Sequence, residues 1–216
     1  MRDYGEKSMK ILAHRGLWTT ASDKNSMEAF VKAFEHGYGI ETDVRDYMEK
    51  LVVSHNIATS ECFLFEDVLK AYKESGSDMP LAINIKADGI QDILRADLNK
   101  FNIKNYFVFD MSIPEQVVYH KQDFNAFTRM SEYEKEPVLL EKSQGVWMDE
   151  WENSWINEGV IDQMRQQGKM VSIISPEIHG RDKANMWEFL KKYVDDADVM
   201  LCTDTPVEAE EYFYGN

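Results

Sequence analysis

Two periodicities alternate along this chain from end to end, and nothing else in the sequence restricts its fold as strongly. Short apolar runs recur at residues 10–13, 39–44, 81–85, 106–110, 126–129, 145–148, 170–174 and 199–202. Their length and their β-branched or aromatic content predict strands. Segments with helical spacing lie between them, at residues 25–36, 64–75, 90–101, 114–121, 160–167, 184–193 and 207–212. In the first of these, Asn25 is placed to cap the helix, with Glu28 three residues on. Met27, Phe30, Val31 and Phe34 form the apolar face and Gly37 the stop. Residues 130–142 break the pattern, being charged and without a clean helical face.

Eight strands with helices between them read as parallel β/α units. Closed on themselves they make an α/β fold, a single (β/α)8 TIM barrel with parallel strands and no large insertion. Residues 1–216 are then one domain, short for such a barrel but long enough. An open doubly wound sheet satisfies the same periodicity.

The charge balance narrows the partners. With 24 Lys and Arg against 39 Asp and Glu, the net charge is −15, which would repel nucleic acid and anionic membranes alike. A phosphorylated ligand would therefore need local positive charge, from a few basic side chains or a bound cation. Cys62 and Cys202 sit in apolar settings too far apart for a disulfide framework and read as reduced, packed thiols. No run approaches the roughly 18 apolar residues of a membrane span. The first residues carry no apolar stretch of the secretory kind, so the expected location is cytoplasmic.

In either architecture the functional face lies at the C-terminal ends of the strands. Glu41 and Asp43 stand there two residues apart, and i, i+2 spacing in a strand turns both carboxylates to one side. Side by side they repel unless something positive intervenes. A hard divalent cation, Mg²⁺ or Ca²⁺, would serve; so would pairing with Lys86 or Arg15. His14 follows the first predicted strand and His55 a short extended segment after the second, flanking the carboxylates with groups suited to proton exchange. Asn84 and Lys86 share a face by the same i, i+2 rule, and Lys86, Arg15 and Arg129 are candidate phosphate contacts. Trp147, at a strand end with Asp149 two residues on, is a candidate ligand-binding aromatic. His36 reads as a helix C-cap, His120 as a surface residue, and His179 as a loop residue within reach of the site.

Taken in order, these residues resemble the glycerophosphodiester phosphodiesterases, which share a barrel with the phosphatidylinositol-specific phospholipases C. The resemblance is carried by His14-Arg15-Gly16, then Asn25-Ser26 with Ala29, Phe30 and Ala33, Gly37, Glu41-Thr42-Asp43-Val44, and Val52-Val53-Ser54-His55. Lys86 and Thr203-Asp204-Thr205-Pro206 extend it toward the C-terminus. It implies His14 and His55 as general acid and base, Glu41 and Asp43 as divalent-metal ligands, and Arg15 and Lys86 as phosphate contacts.

The chain also departs from that family. Asn56 stands where an Asp usually follows the second histidine, and Asn84 where a third carboxylate ligand usually stands. Asp110 is positioned to lend a replacement carboxylate. The insertion that often caps the site beside the second histidine is absent, which would admit a larger headgroup than glycerol. The expected function is thus metal-dependent phosphodiester hydrolysis by a divergent member. The substrate would be a small molecule or the headgroup of a glycan or lipid, and internal transfer to a cyclic phosphate makes no different demand on the sequence. The alternative is an inactive barrel that binds a phosphorylated sugar or lipid headgroup.

Overall fold

The computed structural model describes residues 8–215. Its strands are β1 (Lys10–His14), β2 (Gly39–Tyr47), β3 (Lys50–Val53), β4 (Leu81–Ile85), β5 (Tyr106–Phe109), β6 (Phe127–Met130), β7 (Gly145–Met148), β8 (Met170–Ile174) and β9 (Val199–Thr203). Seven α-helices lie among the described residues: α1 (Met27–Glu35), α2 (Phe65–Ser75), α3 (Gln91–Lys100), α4 (Ile113–Lys121), α5 (Glu158–Gln166), α6 (Ala184–Leu190) and α7 (Pro206–Tyr214).

Hydrogen-bonded neighbours run β5-β4-β2-β1-β9-β8-β7-β6, all parallel, with β3 added antiparallel to β2 as a hairpin. The two ends of this series meet through one parallel bridge, Val108 to Ala126, supported by the Val108 amide donating to the Asn125 carbonyl at 2.8 Å. The eight parallel strands are therefore a nearly closed barrel, not an open sheet. Between β6 and β7 no α-helix forms, which departs from eight complete β/α units. Residues 131–144 lack the apolar face that would anchor a helix to the barrel, and the Thr128 hydroxyl and the Gln116 amide instead tie down the Val138 carbonyl.

Strand alternation sorts the side chains into two sets. Leu12, Ala82, Phe107, Phe109, Phe127, Trp147, Ile174, Met200 and Cys202 form one apolar cluster, in the barrel interior. The rest of the core lies between strands and helices. Two residues further along several strands, the same inward parity reaches His14, Asn84, Arg129, Asp149 and Asp204, while on β2 it carries Glu41 and Asp43. Hydrophobic filling below and a polar mouth above thus follow from one periodicity. Gly145 leaves the space that Phe127 occupies, since a Cβ there would lie 2.5 Å from its ring. At the weak seam, Phe107 of β5 stacks on Phe127 of β6 at 3.9 Å between centroids, so packing supplements the missing ladder.

The start of α1 differs by one residue from the expectation. The N-cap of α1 is Ser26, whose hydroxyl accepts from the Ala29 amide at 3.2 Å, and not Asn25. Asn25 has left-handed backbone and turns its side chain toward β2. His36 caps the C-terminus of α1 as expected, with Nδ1 2.8 Å from the Lys32 carbonyl. His120 is half-buried against Ser143, not on the surface. No helix among the described residues is long and apolar enough to cross a membrane.

Candidate active site

The polar mouth surrounds a cavity of about 330 Å³ at the C-terminal ends of the strands. His14, Arg15, Glu41, His55, Asn84, Lys86, Asp110, Arg129 and Trp147 line it. Asp43 lies fully buried beside Arg15 and Lys86. The residues singled out in the sequence, drawn from across the chain, therefore meet at one place.

His14 ends β1 with Nδ1 2.6 Å from Asp204 Oδ1 and Nε2 3.8 Å from Glu41 Oε2. Lys24 holds the other oxygen of Asp204 at 2.9 Å. Burial would raise the Asp204 pKa, but the contacts with His14 and Lys24 outweigh it and hold the carboxyl below its ordinary range. Glu177 supports the arrangement from below, accepting from the Thr203 hydroxyl at 2.5 Å and from the Asp204 amide at 3.2 Å.

The turn after β1 explains the His-Arg-Gly order. Arg15 and Gly16 both have positive φ, 58° and 90°, and a Cβ on Gly16 would lie 2.8 Å from Ala29 of α1. Only glycine lets the chain reverse while α1 packs this close. The reversal lays Arg15 Nε 3.0 Å from Asp43 Oδ2. Asn25 donates to that same oxygen at 2.9 Å while accepting from the Thr42 hydroxyl at 3.0 Å.

Glu41 is nearly as deeply buried as Asp43. Its carboxyl is pushed up to about 7, first by burial and then by the neighbouring Asp43 charge, against opposing effects from His14, Arg15 and Asn84. Asn84 donates to Glu41 Oε1 at 3.2 Å. Three oxygens in this group, Glu41 Oε2, Asp43 Oδ1 and Asn84 Oδ1, are buried without a hydrogen-bond partner. Orphaned hard oxygen donors beside a carboxylate pair suit a divalent cation such as Mg²⁺ or Ca²⁺. Among the described residues, no three His, Cys, Asp or Glu side chains gather as a metal cluster; the third oxygen beside the carboxylate pair is the amide of Asn84. The oxygens of Asp110 bind Lys86 at 3.0 Å and Arg129 at 2.6 Å.

The basic residues are also paired. Lys86 lies 3.5 Å from Asp43, and Arg129 binds Glu134 at 2.8 Å as well as Asp110. The mouth is consequently a balanced charge network rather than the cationic patch expected from Arg15, Lys86 and Arg129 alone. Trp147 forms part of the floor, stacked on Phe109 at 3.7 Å. His55 is exposed on the hairpin side, its Nδ1 3.2 Å from the Asn56 amide oxygen.

Several members were not given a role in the sequence. Asp204 binds His14 and Lys24 binds Asp204, Asn25 bridges Thr42 and Asp43, and His179 binds Asp149 at 2.7 Å at the cavity wall. The position of Asp204 and of Asp149 just past predicted strands was the available signal. No local pattern marks Lys24, and Asn25 stands out only as part of the resemblance.

No family model matches the chain, and no curated protein matches it. Solved structures do. A glycerophosphodiester phosphodiesterase from Agrobacterium tumefaciens aligns with TM-score 0.68 and 15% identity over 95% of this chain and 98% of its own. The fold is that of the glycerophosphodiester phosphodiesterases. A phosphodiesterase from Oleispira antarctica, solved with its product sn-glycerol-3-phosphate, aligns with TM-score 0.67 and 12% identity over 95% of this chain and 96% of that one. A Ca²⁺-dependent phosphatidylinositol-specific phospholipase C from Streptomyces antibioticus follows with TM-score 0.58, 10% identity and 99% coverage of both chains. The shared barrel accompanies very little sequence identity.

Proposed function

We propose that this protein hydrolyses a phosphodiester with the help of a divalent cation. The observation that carries the reading is the His14–Asp204 pair, poised 3.8 Å from a buried carboxylate group with orphaned oxygens. Glu41, Asp43 and Asn84 would hold the cation. When bound, it would offset charge developing on the non-bridging phosphate oxygens.

Asp204 fixes His14 through Nδ1, which leaves Nε2 to accept a proton from the attacking water or from a neighbouring substrate hydroxyl. Arg15, Lys86 and Arg129 would turn from their carboxylate partners toward the phosphate, and Trp147 would pack beneath the organic part. His55 stands on the hairpin side as the second proton carrier implied by the resemblance. A small glycerol-, sugar- or lipid-linked phosphodiester fits the cavity volume, in keeping with the glycerol phosphate bound by the Oleispira enzyme.

The test is turnover of glycerophosphocholine, an aryl phosphodiester and a sugar phosphodiester with Mg²⁺, Mn²⁺, Ca²⁺ or EDTA, beside His14→Ala. Cation-dependent hydrolysis that falls by about 10²-fold or more in His14→Ala is expected. The neutral Asn84 favours a second reading, a barrel that binds a phosphorylated headgroup without cleaving it. Absence of turnover, together with no calorimetric cation binding, would select that one.

A further inference from the structure

Three imidazoles line the cavity, and their surroundings differ. His14 and His179 are each held by a partly buried carboxylate, Asp204 at 2.6 Å and Asp149 at 2.7 Å. His55 is exposed and has only the Asn56 amide beside it. The Asp149 hydrogen bond raises the His179 pKa above the ordinary histidine value. Trp151 Nε1 binds the other oxygen of Asp149 at 2.8 Å and fixes its orientation.

Position around the barrel separates them further. In the order β2-β1-β9-β8-β7, four strand steps carry the ring from Glu41 and Asp43 to Asp149, which is half of an eight-stranded barrel. Asp149 and the histidine it holds therefore face the carboxylate pair from the opposite wall. The lining divides the same way. Arg15 and Lys86 stand on the β1, β2 and β4 side, whereas Trp147, Trp151, Ile174 and Ile178 add apolar surface beside Asp149 and His179 on the β7 and β8 side. A phosphate suits the first wall and an organic leaving group the second. Displacement at phosphorus places the attacking and leaving oxygens on opposite sides. His14 ends β1, three strand steps from Asp149 after β7, whereas His55 follows β3 beside β2, the neighbour of β1, so His179 stands further round the mouth from the base.

We propose that His179, positioned by Asp149, protonates the leaving oxygen, the second proton transfer for which the resemblance implies His55. This assignment rests on the phosphodiesterase reading above. In the step, the water oxygen bonds to phosphorus and one water proton passes to His14 Nε2. The phosphorus bond to the leaving oxygen breaks with its electron pair on that oxygen, which takes the proton of His179 Nδ1. Nε2–H of His179 stays on Asp149 throughout. The products are a phosphomonoester and an alcohol, and exchange with solvent restores both histidines.

An alkoxide leaving group needs that proton and a nitrophenolate does not, which makes the assignment testable. The wild type, His179→Ala, His179→Gln, Asp149→Asn and His55→Ala would be compared on glycerophosphocholine and bis(4-nitrophenyl) phosphate with saturating Mg²⁺ or Ca²⁺. Loss of kcat/KM in His179→Ala by about 10²-fold or more on the alkyl ester, and by under about 10-fold on the aryl ester, is the expected result. His179→Gln retains a donor for Asp149 and guards against a folding defect; it should show the same contrast. Equal losses on both esters, no loss at His179, or a leaving-group-dependent loss at His55 instead would overturn the assignment while leaving the phosphodiesterase reading intact. Failure of the wild type to turn over either ester would overturn both.

Discussion

Asp204 reaches the site from the last strand of the barrel, 190 residues from the histidine it binds. Its replacement by Asn would keep the shape but lose the charge beside the His14 ring. Asp204→Asn should lower kcat by about 10²-fold or more with little change in KM, as read by steady-state kinetics on whichever phosphodiester the protein cleaves. Asn25 acts one layer deeper, bridging Thr42 and Asp43. Asn25→Ala would leave the Asp43 carboxylate with Arg15 and Lys86 alone. The expected outcome is weaker cation affinity by calorimetry, with His14 geometry and the fold retained. Glu41, Asp43, His14 and Lys86 could be singled out from the chain because strand parity and strand-end position are local properties. Asn25 could not, since its sequence context is that of a cap and the neighbouring Ser26 serves that need.

At the scale of elements, the β1–α1 turn and the β5–β6 seam carry the risk. Gly16→Ala would force a side chain into left-handed backbone and against Ala29, at a cost of about 2 kcal/mol or more that chemical denaturation would measure. Phe127 is buried between Phe107 and the space above Gly145, and its loss opens a cavity at the seam. Phe127→Ala should cost about 3 kcal/mol or more.

The α2–α3 contact supplies a pH signature independent of the site. Burial, and then Glu66, push the Asp97 carboxyl up to about 6. The folded state thus holds a proton there that the unfolded chain releases, so this group weakens the fold as pH rises from about 4 to about 6. Asp97→Asn should flatten that decline and add about 1 kcal/mol at neutral pH, visible in urea titrations at pH 4.5 and 7. The strands and most helices were legible because each announces itself by period. The helix-free stretch between β6 and β7 showed only as a missing pattern, and the α1 cap shifted by a residue because two capping residues stand side by side.

For the whole molecule, a net charge of −15 would have to coexist with the anionic ligand proposed above. The barrel mouth does not solve this with spare positive charge, since each Lys and Arg expected there already faces a carboxylate. Bound divalent charge would shift that balance. Millimolar Mg²⁺ or Ca²⁺ should therefore raise Tm, by linkage of binding to folding, and Glu41→Gln should abolish most of the increase. An unchanged Tm in both proteins would make the carboxylate pair structural.

By itself the sequence determined the repeating β/α units, the face on which function gathers, and the chemical types gathered there. Those follow from periodicity and from the fixed direction of a strand, which act over a few residues. Closure of the ring was decided only in three dimensions, because a parallel strand pairs equally well in an open sheet until its ends meet. So was the pairing of His14 with Asp204 and of His179 with Asp149. Which carboxylate an imidazole finds depends on the order of strands around the barrel, and no local spacing encodes that order.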